Sequence, residues 1–400
     1  MKEKNGSIEQ AMHGYSNGHR LLSSSQKFSD IDNKKMIILS DLSGNEFING
    51  FEKYFTGYKL EDGRSVLACT WYAKEMSRPG CVWTHSLILN KISLSKENIS
   101  YIFSIFRKPN IDDDFSFYSK SLHLQTSTEK FEVNNSKLKY IIWCVLKSKT
   151  PSVVFADSSI LYEKELIYLF LAYNHILDSK FSFCTGAISL RTYENQIMQF
   201  QVVPYKLARS TWLMNNKVLT AKDENIIKEY PMWVNKIIEY IQIDNLKDIS
   251  HFKSGFSTKY NQSKYFSSFV KLYVGTKADC KKLSLGNLLQ LATAIFDDKE
   301  EICEEILQLY FQGYFYKWNE KEYISALQFF IENQWLYISR ENIHDVVSKG
   351  FEYEYIKSKN LFKSIIRMEG NYIIEEILKT YAELLSYNQF VHFTDLEYES

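Results

Sequence analysis

Proline stops at residue 231. All five prolines of this 400-residue chain lie at or before Pro231, and eight of its 15 glycines fall within the first 80 residues. Both residue types break helices and make turns. The first part must therefore be turn-rich, with room for strands, and only the last part can carry uninterrupted helices. At roughly 100–200 residues per domain, two or three domains are expected. The fold class read from this is α+β: a β-rich N-terminal domain over residues 1–110, an α/β middle domain over 111–250, and an all-α C-terminal domain over 251–400, either a helical bundle or a short solenoid.

Local patterns fill in this outline. Gln10–Ser16 and His19–Ser25 read as strands joined by Asn17-Gly18, the dipeptide preferred where both central residues of a hairpin need positive φ. Lys35–Ser40 is a short apolar run ending in a turn at Asp41–Gly44. Asn49–Lys59, Ser65–Tyr72 and Cys81–Leu89 read as strands. Ser95 is placed to cap a helix running to Arg107, and the polar run Asn110–Asp114 is a candidate boundary. Beyond it, Lys137–Lys147 and Leu161–Leu177 read as helices. Ser152–Ala156, Phe181–Leu190 and Gln196–Val203 read as strands, with a turn at Tyr193-Glu194-Asn195, which is an α/β alternation. A helix around Trp233–Ile243 follows Pro231. Helical periodicity then covers Leu285–Phe296, Glu301–Tyr316, Glu322–Tyr337, Glu341–Lys357 and Leu361–Tyr387, joined by short polar links.

Composition excludes several classes. Hydrophobic residues make up 45% and aromatics 16%, which argues against disorder. Net charge is zero, but residues 276–400 carry 13 basic against 21 acidic side chains, leaving a basic excess of eight in the rest. That imbalance is too mild for a dedicated nucleic-acid domain and would equally help two halves dock. The first residues form no signal peptide, and the longest apolar runs fall short of the ~20 residues of a membrane span. A cytoplasmic, non-membrane protein is expected. Its six cysteines, Cys69, Cys81, Cys144, Cys184, Cys280 and Cys303, form no C-x-x-C pair, so buried, reduced thiols are expected.

No motif specifies a reaction. There is no phosphate-binding glycine loop. Val153–Asp157 has the form of a strand ending in an acid, but Asp157 and Ser158 read first as a helix cap. His13 and His19 flank the Asn17-Gly18 turn and could face each other. A metal would need further ligands from Cys69, Cys81 or His85, and the spacing does not demand them. No metal and no cofactor are expected. Trp71, Tyr72, Arg78, Trp83 and His85 form an aromatic and basic group that could stack bases, though aromatics this frequent are usually core.

Three segments resemble a known family. His13-Gly14-Tyr15-Ser16-Asn17-Gly18-His19-Arg20-Leu21-Leu22 is similar to the signature of the N-terminal domain of bacterial GTPase-associated proteins, the "GAP-one" adaptor type. Arg78-Pro79-Gly80-Cys81-Val82-Trp83-Thr84-His85-Ser86-Leu87 is similar to that domain's second signature, and Phe181–Gly186 to a strand start in the family's middle domain. The resemblance covers roughly residues 8–205. It implies a non-catalytic adaptor or regulatory subunit from a bacterial antiphage or conflict locus, binding a companion GTPase, nuclease or other effector. It implies contact roles for Tyr15, His19, Arg20, Arg78, Trp83 and His85, and structural turn roles for Gly14, Asn17, Gly18 and Gly80. The alternatives are an enzyme with a site around His13, His19 and His85, and a nucleic-acid-binding module.

Overall fold

The computed structural model describes residues 6–42, 48–90, 94–147, 151–177, 181–207, 219–221, 229–243, 246–256, 268–270, 272–273, 285–296, 298–311, 320–334, 337–353, 356, 361, 365–368 and 370–385. Cys280, the end of the expected Asp41–Gly44 turn and much of the expected links in the helical third lie outside these residues. The chain divides into two compact units, Met1–Asn245 with Gln262–Ser267, and Leu246–Asn261 with Ser268–Ser400.

One mixed sheet organises the first unit. Its N-terminal strands are β1 (Ser7–Tyr15), β2 (His19–Ser24), β3 (Lys53–Lys59), β4 (Ser65–Tyr72) and β5 (Val82–Leu89), and these pair antiparallel in the order β3-β4-β5-β1-β2. The short β6 (Leu122–His123) pairs with the start of β1. The later strands β7 (Ser152–Ala156), β8 (Phe183–Cys184), β11 (Phe200–Pro204) and β12 (Leu219–Ala221) form a parallel set in the order β12-β7-β11-β8. β9 (Thr192–Tyr193) and β10 (Gln196–Ile197) make a small separate hairpin. The long strand expected over Phe181–Leu190 is therefore only two residues of ladder.

The antiparallel and parallel halves meet where β3 pairs with β8. A division at residue 110 is thus a division of sequence pattern and not of the sheet, because the strands on either side share one ladder. The junction depends on Gly57. A Cβ placed there would lie 2.1 Å from Cε1 of Phe183, which is itself fully buried beside Phe170 and Phe181. Gly57→Ala is expected to destabilise the unit by about 1–3 kcal/mol through overpacking, read as a drop in Tm.

Helices cover the sheet. α1 (Asp30–Ser40) starts at Ser29, whose side chain accepts from the Asp32 amide. α2 (Lys96–Ser104) starts at Ser95 as expected, and buries Ile99 and Ile102. α3 (Asn135–Lys147) packs on α4 (Glu163–Ala172) and on α5 (Met232–Gln242). The second unit is helical: α6 (Leu246–Ser254), α7 (Leu285–Ile295), α8 (Lys299–Phe311), α9 (Glu320–Glu332), α10 (Arg340–Gly350) and α11 (Tyr372–Leu384). α7 packs on α8 and α9, α9 on α10, and α10 on α11. Gly286 lets α7 approach α9 closely, since a Cβ there would lie 2.3 Å from the Ser325 carbonyl oxygen. The long helix expected over Leu361–Tyr387 is shorter, because the Asn371 side chain accepts from the amides of Ile373 and Ile374 and starts α11 there. Among the described residues no helix is long and apolar enough to cross a membrane.

Candidate functional site

The site grows from the C-terminal end of α1. The last carbonyls of a helix have no partner within it, and no glycine ends this one. Instead, side chains distant in sequence reach them. Arg191 donates to the carbonyls of Leu39 (3.0 Å), Ile38 (3.2 Å) and Asp41 (2.8 Å). Thr84 donates to Ser40 O at 2.6 Å, and Tyr54 to Asp41 O at 3.3 Å. A buried guanidinium at a helix C-terminus also complements the negative end of the helix dipole. These bonds pin the end of α1 over the β1–β2 hairpin.

The hairpin turn positions the next group. Asn17 (φ 55°) and Gly18 (φ 114°) both take positive φ, as the dipeptide predicts, and bring His19 opposite Tyr15. The His19 ring stacks on His13 with centroids 6.4 Å apart. Its Nε2 lies 2.8 Å from Ser40 Oγ, whose own proton goes to Ile37 O. Ser40 Oγ must therefore accept from His19 Nε2–H. In the neutral ring this leaves the Nδ1 lone pair 3.8 Å from Asp41 Oδ1. Burial lowers the His19 pKa, with Asp41 opposing and Arg191 reinforcing the shift.

Tyr15, His19, Asp41, Leu42, Arg78, Pro79, Gly80 and Cys81 line a pocket of about 340 Å³. Arg78 lies over the Tyr15 ring at 5.5 Å, and no carboxylate among the described residues pairs with it. Gly80 adopts φ 83° in the turn that carries Arg78. One wall thus offers acceptors, His19 Nδ1 and Asp41, and the other a guanidinium. Burial pushes the Cys81 thiol up, with Arg78 opposing, so it is not a ready thiolate nucleophile.

Of the contact residues expected from sequence, Tyr15, His19 and Arg78 come together here. Arg20 is exposed and lies outside the pocket. Trp83 and His85 need correcting, because both are buried. Trp83 is 1% exposed and donates from Nε1 to Glu75 at 2.7 Å. Partial burial pushes the Glu75 carboxyl up, but its own backbone N–H, Trp83 and Lys108 outweigh this and hold it below the usual carboxylate range. Gly14 is not a turn residue. It sits in β1, where a Cβ would lie 2.4 Å from Trp83 Cε3.

His85 is structural too. Gln10 donates from its amide nitrogen to the carbonyls of Phe117 and Lys120, so its oxygen accepts from His85 Nε2 at 2.9 Å, while His85 Nδ1 accepts from the Arg107 amide. Burial drives the His85 pKa down to about 3. His85 pairs with Met12 and His13 with Thr84, so these two histidines project from opposite faces of the sheet. The three-histidine site is therefore not assembled. Among the described residues no cluster of His, Cys, Asp and Glu could hold a metal ion.

The site is thus a polar, partly open pocket on a sheet-and-helix scaffold. Residues 7–106 match the family described as GTPase-associated protein 1, N-terminal domain type 1, and the chain carries an N-terminal domain of this GTPase-associated, GAP-one type. Both signature segments, 13–22 and 78–87, lie inside the match. No curated protein and no solved structure matches the chain.

Proposed function

We propose that the protein is a non-catalytic adaptor or regulatory subunit of a bacterial antiphage or conflict system, working in the cytoplasm. It holds a companion of the same locus, a GTPase, nuclease or other effector, through the pocket at the end of α1. The match of residues 7–106 to a GTPase-associated domain carries this reading. The pocket supports it with a surface: an exposed arginine stacked on Tyr15, beside the His19 and Asp41 acceptors. Arginine and tyrosine are enriched among residues that dominate protein–protein binding energy. The likeness of Phe181–Gly186 to the family's middle domain extends the same proposal beyond residue 106.

The test is a pull-down of the tagged full chain from its host. A stoichiometric partner is expected, and Arg78→Ala is expected to weaken its binding about tenfold or more with no change in Tm, since the side chain is exposed. Robust nucleotide or nucleic-acid hydrolysis by the chain alone would overturn the adaptor reading. A partner retained equally by Arg78→Ala and Tyr15→Ala would move the contact elsewhere.

A further inference from the structure

A second cavity, of about 270 Å³, lies at the other half of the sheet. Ala156 and Asp157 close it from the carboxyl end of β7, and Pro204, Tyr205 and Lys206 from the carboxyl end of β11. Its position follows from topology. From β7 the chain passes over β11 to reach β8, whereas from β11 it passes β7 to reach β12. The two adjacent strands send their connections in opposite directions along the sheet. In open α/β sheets a reversal of this kind, between right-handed crossovers, is the general setting for a crevice at the strand ends. Such switch points are where open α/β sheets bind ligands.

The lining narrows the ligand. At many strand–helix turns the free amides at the helix start cradle a phosphate, but here they are taken. The Ser159 amide donates to the Gly50 carbonyl at 2.9 Å, the Ser158 hydroxyl donates to the same oxygen, and the Ser159 hydroxyl donates to the Lys53 carbonyl at 2.5 Å. The first residue past β7 is itself an acid, Asp157, which lines the cavity. A phosphate would find acceptors and negative charge. What the cavity offers is one carboxylate, Asp157, and one ammonium, Lys206, on neighbouring strand ends. Neither has an ion-pair partner among the described residues. Beside them lie the buried apolar side chains Ile48 and Phe51.

We infer that this crevice binds a free α-amino acid with an apolar side chain. Asp157 takes the α-ammonium, Lys206 takes the α-carboxylate, and the side chain lies against Ile48 and Phe51. A cavity just under the ~300–1,000 Å³ typical of drug-sized ligands suits a metabolite of this size. The inference stands apart from the adaptor reading, since it uses other strands and other residues.

The test is a titration calorimetry and thermal-shift screen of the full chain against the apolar and aromatic amino acids. Each is paired with its decarboxylated amine and its carboxamide, and ATP, GTP and inorganic phosphate are run alongside. One or a few amino acids should bind and raise Tm, and their amines and amides should not. Asp157→Asn and Lys206→Met should each weaken binding about tenfold while leaving the Tm of the ligand-free protein unchanged, because both side chains are exposed. Any of three results overturns the inference: no amino acid binds, a phosphate compound binds in place of any amino acid and loses its binding in Asp157→Asn or Lys206→Met, or both variants bind the amino acid as the parent does.

Discussion

Lowering the pH from 7 to 4.5 is expected to remove about 5 kcal/mol from the stability of the sheet unit through two histidines alone. His13 and His85 are fully buried, and burial drives both pKa values down to about 3, the neighbouring His19 adding to the shift at His13. In the unfolded chain each titrates near 6.5. Between those values the unfolded state binds a proton that the folded state refuses. Stability is therefore complete above pH 6.5 and falls as the pH drops toward 3. At pH 4.5 each group accounts for about 2–3 kcal/mol, and the pair for a large share of an ordinary 5–15 kcal/mol margin. Hydrogen bonding points the same way for His85, because a proton on its Nδ1 would face the Arg107 N–H that it now accepts from. Urea denaturation at a series of pH values measures the slope. His13→Leu should reduce it by about 1.4 kcal/mol per pH unit between 6 and 4.5, the effect of one proton. A slope identical to the parent's would show that His13 does not stay neutral in the fold.

What the sequence disclosed follows the range of the interactions involved. The β1–β2 hairpin was legible because Asn17-Gly18 determines the turn locally, and α2 because Ser95 caps it within three residues. The pocket was legible in part for the same reason: Tyr15 and His19 flank one turn, and Arg78 and Gly80 share another. Asp41 and Leu42 were read only as a turn closing a short apolar run, since nothing in Lys35–Ser40 announces that it is the second half of a helix started by Ser29. Trp83 and His85 sit in a signature segment, and their burial depends on Gly14, Glu75, Gln10 and the 115–118 turn coming over them, which no local pattern shows. The shared sheet was hidden for a related reason. β8 has only two residues in its ladder, and its pairing with β3 joins positions about 127 apart in sequence.

Arg191 is the extreme case of this distance effect, and replacing it should have the largest effect of any single substitution near the pocket. Nothing in Leu190-Arg191-Thr192 marks the residue, yet its guanidinium is 7% exposed and donates to three carbonyls at the end of α1, about 150 residues earlier in the chain. Its backbone is held in turn by Gln201, which accepts from the Arg191 amide and donates to the Arg191 carbonyl. Charged hydrogen bonds are worth about 1.5–3 kcal/mol each, and an acceptor left buried without a partner carries its desolvation cost. Arg191→Ala should therefore cost about 3–5 kcal/mol in denaturant unfolding, after allowing for some relaxation of the helix end. Arg191→Lys should recover little, since a single ammonium cannot span three carbonyls from one planar fork. The same change should reach the pocket. With the end of α1 released, Ser40 and Asp41 lose their fixed place against His19, so partner binding should weaken even in the fraction of Arg191→Ala that is folded. Measuring partner affinity and stability on the same variant separates the two effects. A variant that loses stability but binds at full affinity would show that the pocket does not depend on how α1 ends.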